Sequence, residues 1–126
     1  MYTTSGLALV ALARCPNYNA TKAALHQFIL SIRRQLQTSS IKVIELFPPA
    51  VQTEIHDAKH QPTLENGGQI GITIDEFMKI AWPGIVEGKE EIPVGSVISA
   101  ALEKIDGPRK AMMQHMPWDA SEFETK

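Results

Sequence analysis

Apolar positions along this chain of 126 residues follow different periods in different segments, and each period predicts an element. Between Tyr18 and Gln37, the residues Leu25, Phe28, Ile29, Ile32 and Leu36 fall at the spacing of a single helical stripe. The pattern predicts a helix over about residues 16–37. Arg33 and Arg34 suit the negative end of its dipole, and Thr38-Ser39-Ser40 is a polar breaker. Ile41-Lys42-Val43-Ile44-Glu45-Leu46-Phe47 is then rich in β-branched and aromatic residues, which predicts a largely buried strand over 41–47. Pro48-Pro49 stops it by removing two backbone donors.

From Ala50 to Gly71 the chain is polar and interrupted by Pro62, Asn66, Gly67 and Gly68, which predicts a long loop, with 54–72 as a lid over a site. Thr73, with Glu76 three residues on, reads as a capping box opening a helix over 73–88 that buries Phe77, Ile80 and Ala81. Pro83 is expected to end or kink it. A brief strand follows over 92–95. Ser96 caps a last helix over 96–106 on Val97, Ile98, Ala101, Leu102 and Ile105, closed by Asp106-Gly107-Pro108. Residues 109–126 read as an irregular tail. No repeat or linker divides residues 1–126, so a single domain is expected.

Composition narrows the function classes. Apolar residues make up 44% and charged residues 21%, the balance of a globular protein. The net charge of -2 comes from interspersed acids and bases, so nothing forms the footprint of a nucleic-acid or anionic-membrane binder. Leu7 to Ala13 is far shorter than the roughly 20 residues that cross a bilayer, and reads as buried loop or helix. Cys15 stands alone and the first residues lack the marks of a secretory peptide, which points to a reducing, cytoplasmic compartment.

Tyr18 and Lys22 stand four apart at the start of the strongest helix and so share one face. An ammonium held near a phenol favours the phenolate, which makes an acid/base catalyst possible, although the same spacing is common in ordinary surface pairs. Ser5 follows what would be the end of a strand and could bring a hydroxyl to a substrate carbonyl oxygen.

Ser5, then Tyr18-Asn19-Ala20-Thr21-Lys22 opening an amphipathic helix, then Ile41 to Phe47, then Pro48-Pro49-Ala50-Val51-Gln52-Thr53 resembles the short-chain dehydrogenase/reductase family in content and order. The likeness runs from the first residues to about Gly95. Phe47 to Glu54 with Glu87-Gly88-Lys89-Glu90-Glu91-Ile92 also looks like the subgroup named after D-alanine esterification of teichoic acids. The resemblance implies an α/β fold, the C-terminal catalytic part of a doubly wound Rossmann-type parallel sheet. It implies NAD(P)-dependent hydride transfer between a carbonyl and a secondary alcohol of small-molecule size. Tyr18 would be the general acid/base and Ser5 would orient the reacting oxygen. Lys22 would favour the phenolate and bond the nicotinamide ribose. The Pro48 turn, Val51 through its backbone, and Thr53 would hold the carboxamide end of NAD or NADP.

Two departures qualify those expectations. Pro49 stands where the family usually has glycine, fixing φ near -65°. The glycine-rich turn that receives the cofactor phosphates has no counterpart here, and Gly67-Gly68-Gln69-Ile70-Gly71 follows a polar loop rather than a strand. The family's active-site Asn upstream of the Ser and the acidic residue for the adenosine ribose are missing too. The chain is therefore expected to be the catalytic half without its N-terminal nucleotide-binding half, inactive alone, with two strands and one open sheet edge. The strand neighbouring 41–47 would begin before Met1. A homodimer, or a heterodimer with a full-length relative through the Tyr18 to Gln37 helix, is implied. The alternative is a non-catalytic interaction module derived from the same family.

Other clusters carry weaker readings. His56 and His60 at i, i+4 beside Asp57 could be drawn as a metal site only if that loop were helical, and covering-loop polarity explains them better, so no metal is expected. His26 and His115 read as solvated or locally bonded. Cys15 reads as a small buried residue, and Met112, Met113, Met116 and Trp118 as packing.

Overall fold

The protein is described here from a computed structural model covering residues 1–116. Its centre is a parallel sheet of three short strands in the order β1-β2-β3: β1 (Tyr2–Thr3), β2 (Glu45–Phe47) and β3 (Glu91–Pro93). Thr3 pairs with Leu46, and Leu46 with Ile92. The expected two-stranded remnant is thus corrected, because Tyr2 and Thr3 supply the missing neighbour of β2. Strand β2 is also shorter than 41–47. Its neighbours flank it only from Glu45 onward, and the carbonyl of Val43 is taken instead by Arg33 Nε at 3.0 Å. Likewise β3 sits earlier than 92–95, since the chain leaves it at Gly95 with φ 108°.

Alternate residues of β2 point to opposite faces. Leu46 joins Ala81, Ile92 and Val94 in a cluster under helix α2 (Ile74–Glu87), together with Phe77 and Ile85. Phe47 packs on the other face with Ile98 and Leu102. Glu45 shares that second face with helix α1 (Pro16–Gln35), whose His26 it touches.

Pro16 opens α1 at a position where its missing N–H costs nothing, and Arg33 and Arg34 occupy the last turn. Ile29 and Leu30 are buried, whereas Phe28 remains half exposed. Thr73 and Glu76 do form the capping box at the start of α2. That helix carries on through exposed Pro83 to Glu87, contrary to the expected break. Ala81 and Gly84 are buried on either side of Pro83, and Gly88 at φ 73° closes the end in the left-handed conformation. Ile80, expected inside, faces out.

The last expected helix also differs. Helix α3 (Ser96–Ala101) follows Gly95 as N-cap, with Ser96 as its first residue rather than its cap. A π turn over Leu102–Asp106 then leads into helix α4 (Gly107–Met113). Pro108 does not end the helix, because it falls in the first turn of α4, where no intrahelical donor is required. The tail from Arg109 is therefore helical to Met113. Trp118 and the rest of the expected tail lie outside the described residues. Of Leu7–Ala13, Leu7 and Ala8 belong to a turn over Gly6–Ala8 with Ala8 buried, whereas Val10 and Leu12 are exposed rather than buried.

Candidate functional site

Strand β1 ends at Thr3, and the next two residues turn inward. Thr4 is buried, its N–H and hydroxyl both donating to the Leu46 carbonyl at 2.9 and 3.3 Å. Ser5 is 8% exposed and caps the Gly6–Ala8 turn, its Oγ accepting from the Leu7 N–H at 3.1 Å. A hydroxyl that accepts within the protein still has its O–H to give, which is what a substrate carbonyl oxygen takes. The Gly6–Ala8 turn packs against α1.

The face of α1 that meets this strand end carries Tyr18, Lys22 and His26 at successive intervals of four. Lys22 Nζ donates to the Thr3 carbonyl at 3.0 Å and lies 5.6 Å from the centroid of the Tyr18 ring. The ammonium is thereby held between the strand end and the phenol, with two of its three protons unspent among the described residues. Tyr18 is 42% exposed, so its hydroxyl is open to an incoming molecule. Asn19, buried beside it, donates to the Leu12 carbonyl at 2.7 Å and fixes the connection between Ser5 and the helix.

The Pro48 turn reaches the same strand end, its carbonyl accepting from the Gly6 N–H at 3.2 Å. Val51 bridges Ile72 in parallel fashion. In that bridge the Ala50 carbonyl and the Gln52 N–H make the bonds to Ile72, so the N–H and C=O of Val51 itself face the other way. Among the described residues they have no protein partner. Thr53 is exposed and makes no capping bond at the start of a short turn over Glu54–His56. Among the described residues an ammonium edge, a backbone amide and a hydroxyl are thus left open to a ligand.

Between Thr53 and Thr73 the loop contains two short turns, Glu54–His56 and Gly67–Gln69, which pack on each other. Gly67 is required there, since a Cβ would lie 1.7 Å from the His56 carbonyl oxygen. His56 pairs with Gln61 Nε2 at 3.2 Å, and no group of three His, Cys, Asp or Glu side chains able to hold a metal occurs among the described residues. Cys15 is half-buried, with Sγ 3.5 Å from Asn19 Oδ1.

Sequence reasoning missed the buried charges one turn below Lys22. His26, expected to be solvated or locally bonded, is completely buried. Its Nδ1 lies 2.9 and 3.0 Å from the two oxygens of Glu45, and its Nε2 lies 3.0 Å from Asp106 Oδ1. Arg109 also bonds Asp106 Oδ1, and Lys110 Nζ lies 3.1 Å from Oδ2 in ion-pair contact rather than hydrogen-bond alignment. Burial works against charge on the ring, but the bonds to Asp106 and Glu45 outweigh it and raise the His26 pKa above its ordinary 6.5. For Asp106 burial pushes upward, and the bonds from His26 and Arg109 with the nearby Lys110 ammonium overcome it, holding the carboxyl well below the usual range. The signal available in the sequence was Glu45, a carboxylate within a strand read as largely buried.

The sequence profile of the short chain dehydrogenase family matches residues 1–63. The uncharacterized oxidoreductase DltE of Bacillus subtilis is 40% identical over 110 residues, which are 86% of this chain and 39% of that protein. A crystal structure of a short chain dehydrogenase from Burkholderia cenocepacia in complex with NADP superposes with a TM-score of 0.63 at 22% identity, covering 92% of this chain and 47% of that one. This chain thus spans less than half the length of either relative, and its sheet and helices correspond to part of a Rossmann-type fold. With the family profile covering its first half and the Ser5, Tyr18 and Lys22 segment inside that match, the chain belongs to the short chain dehydrogenase family.

Proposed function

We propose that these residues form the proton-handling part of an NAD(P)-dependent oxidoreductase that interconverts a small carbonyl compound and a secondary alcohol. The observation that carries this reading is Lys22, which stands over the Tyr18 ring while fastened at 3.0 Å to the carbonyl of Thr3, two residues before Ser5. Tyr18 gives a proton to the carbonyl oxygen in reduction and takes it from the alcohol in oxidation. Ser5 donates its O–H to the same oxygen, and Lys22 keeps its positive charge beside the phenol. Lys22, the Pro48 turn, the backbone of Val51, and Thr53 hold the nicotinamide and its ribose. Bound NADH or NADPH would supply the hydride in reduction, and the oxidised form would accept it in oxidation. The phosphates need backbone amides at a helix N-terminus, and these 126 residues carry no glycine-rich turn of that kind.

Residues 54–72 serve as the lid of the substrate pocket. The lone Cys15 supports a cytoplasmic setting, and no helix among the described residues is long and apolar enough to cross a membrane. Phe28, 52% exposed on α1, supports pairing with a second copy or a full-length relative.

The test is a chimera that joins this chain to the nucleotide-binding half of a family member, assayed with NADH or NADPH and a panel of ketones and aldehydes. Turnover that falls about 10²–10⁴-fold in Tyr18→Phe supports the reading. Turnover that Tyr18→Phe leaves unchanged overturns it.

A further inference from the structure

The charged cluster beneath Lys22 plays no direct part in that chemistry, yet it joins the helix that carries Tyr18 to two other elements. Both ring nitrogens of His26 face carboxylate oxygens, one pair on β2 and one at the end of the π turn. Carboxylates accept and do not donate, so the ring must donate from both nitrogens, which only the imidazolium can do. A neutral ring in this place would turn a lone pair toward a carboxylate at 2.9 or 3.0 Å with no water to intervene, since His26, Glu45 and Asp106 are all fully buried. The ring edge also meets Phe47, with centroids 5.5 Å apart.

The surrounding charges come from every element packed here. Arg33 of α1 lies 3.7 Å from Glu45 Oε2 and 3.3 Å from Glu91 Oε1 of β3, and Arg109 and Lys110 of α4 flank Asp106. Lys110 also pairs with Glu91. All but His26 are ordinarily charged through the neutral range, which leaves the imidazole as the group whose proton number changes there.

We propose that protonated His26 is a positioning residue and a latch: by donating to Glu45 and Asp106 together it locks α1, β2 and the π turn leading to α4 in register, and loss of its proton releases the π turn and α4. The second tie between α1 and α4, Arg34 to the Met113 carbonyl, keeps the released helix near its place. The π turn is what makes the latch reachable. It breaks the regular helical repeat at Leu102–Asp106 and brings Asp106 fully into the interior. Because His26 lies one turn beyond Lys22 and two beyond Tyr18, release also loosens the base of the segment that presents them. That consequence for Tyr18 rests on the reading above, whereas the latch itself does not.

The experiment uses the 126-residue protein and needs no turnover, so its failure is distinguishable from failure of the catalytic reading. Ring-nitrogen NMR should show His26 protonated on both nitrogens at neutral pH, losing its proton above the ordinary imidazole value of 6.5. Hydrogen exchange, corrected for intrinsic pH dependence, should show protection in 102–113 falling several-fold as His26 deprotonates. His26→Gln should show the low protection on both sides of that midpoint. A neutral ring at pH 7, protection in 102–113 indifferent to the ring's proton, or wild-type protection in His26→Gln would each overturn the proposal. If His26→Gln does not fold, Asp106→Asn takes its place: the ring midpoint and the loss of protection should move together to lower pH, and an unmoved step overturns the latch.

Discussion

His26 Nδ1 donates to Glu45 from the middle of the helix that carries Tyr18 and Lys22, with neither side chain touched by solvent. An ion pair of this kind contributes little compared with a well-packed apolar pair, but breaking it strands a buried charge. Glu45→Gln should therefore destabilise the protein by about 3–5 kcal/mol. Urea denaturation measures this, and a loss smaller than about 1 kcal/mol would mean that the pair is not formed as described.

Stability should follow pH in two limbs. The His26 pKa is raised on folding, so its contribution is complete below the ordinary 6.5 and is lost as pH rises through the folded value. The Asp106 pKa is depressed, so its contribution is present above the ordinary 3.8 and is lost as pH falls toward the folded value. The urea midpoint should be highest between those two ordinary values. It should decline on both sides, and the alkaline limb should flatten in His26→Leu measured against wild type.

Thr73 accepts from the Glu76 N–H at 3.2 Å while Glu76 accepts from the Thr73 N–H at 2.9 Å. Those bonds from the backbone and hydroxyl of Thr73 lower the Glu76 pKa. Thr73→Ala should cost about 1 kcal/mol in the urea midpoint analysis, and the Glu76 titration, followed by carboxyl NMR, should move back up. An unmoved titration would show that the box is not made in solution.

In the function proposed above, Lys22, Val51 and Thr53 would reach only the nicotinamide end of a dinucleotide. Fluorescence titration of the 126-residue protein with NADH or NADPH should accordingly show no saturable binding. Tight binding would place the phosphate site within these residues and refute the assignment of the cofactor contacts.

Much of the local structure was legible in the chain. The 3.6-residue period located α1, the Thr73 and Glu76 pair located the start of α2, and the β-branched run ending in Pro48 located β2 and where it stops. The order of Ser5, Tyr18 and Lys22 and the Pro48 turn carried the family and the residues to inspect. These are local properties, fixed by backbone sterics and by groups within a few positions of each other. Tertiary contact decided the rest. Strand lengths came from neighbours, because a ladder extends only as far as its partners do: Tyr2–Thr3 on one side and Glu91–Pro93 on the other. The helix passed Pro83 because burial of Ala81 and Gly84 on either side holds it in place, and Pro108 was tolerated because, after the π turn, it falls in the first turn of α4. Lys22 found the Thr3 carbonyl, and His26 found Glu45 and Asp106, across separations of 19 and 80 positions. No sequence period encodes such a meeting. Buried charge must find its counter-charge wherever packing places one, and that placement exists only once the sheet and both helices have come together.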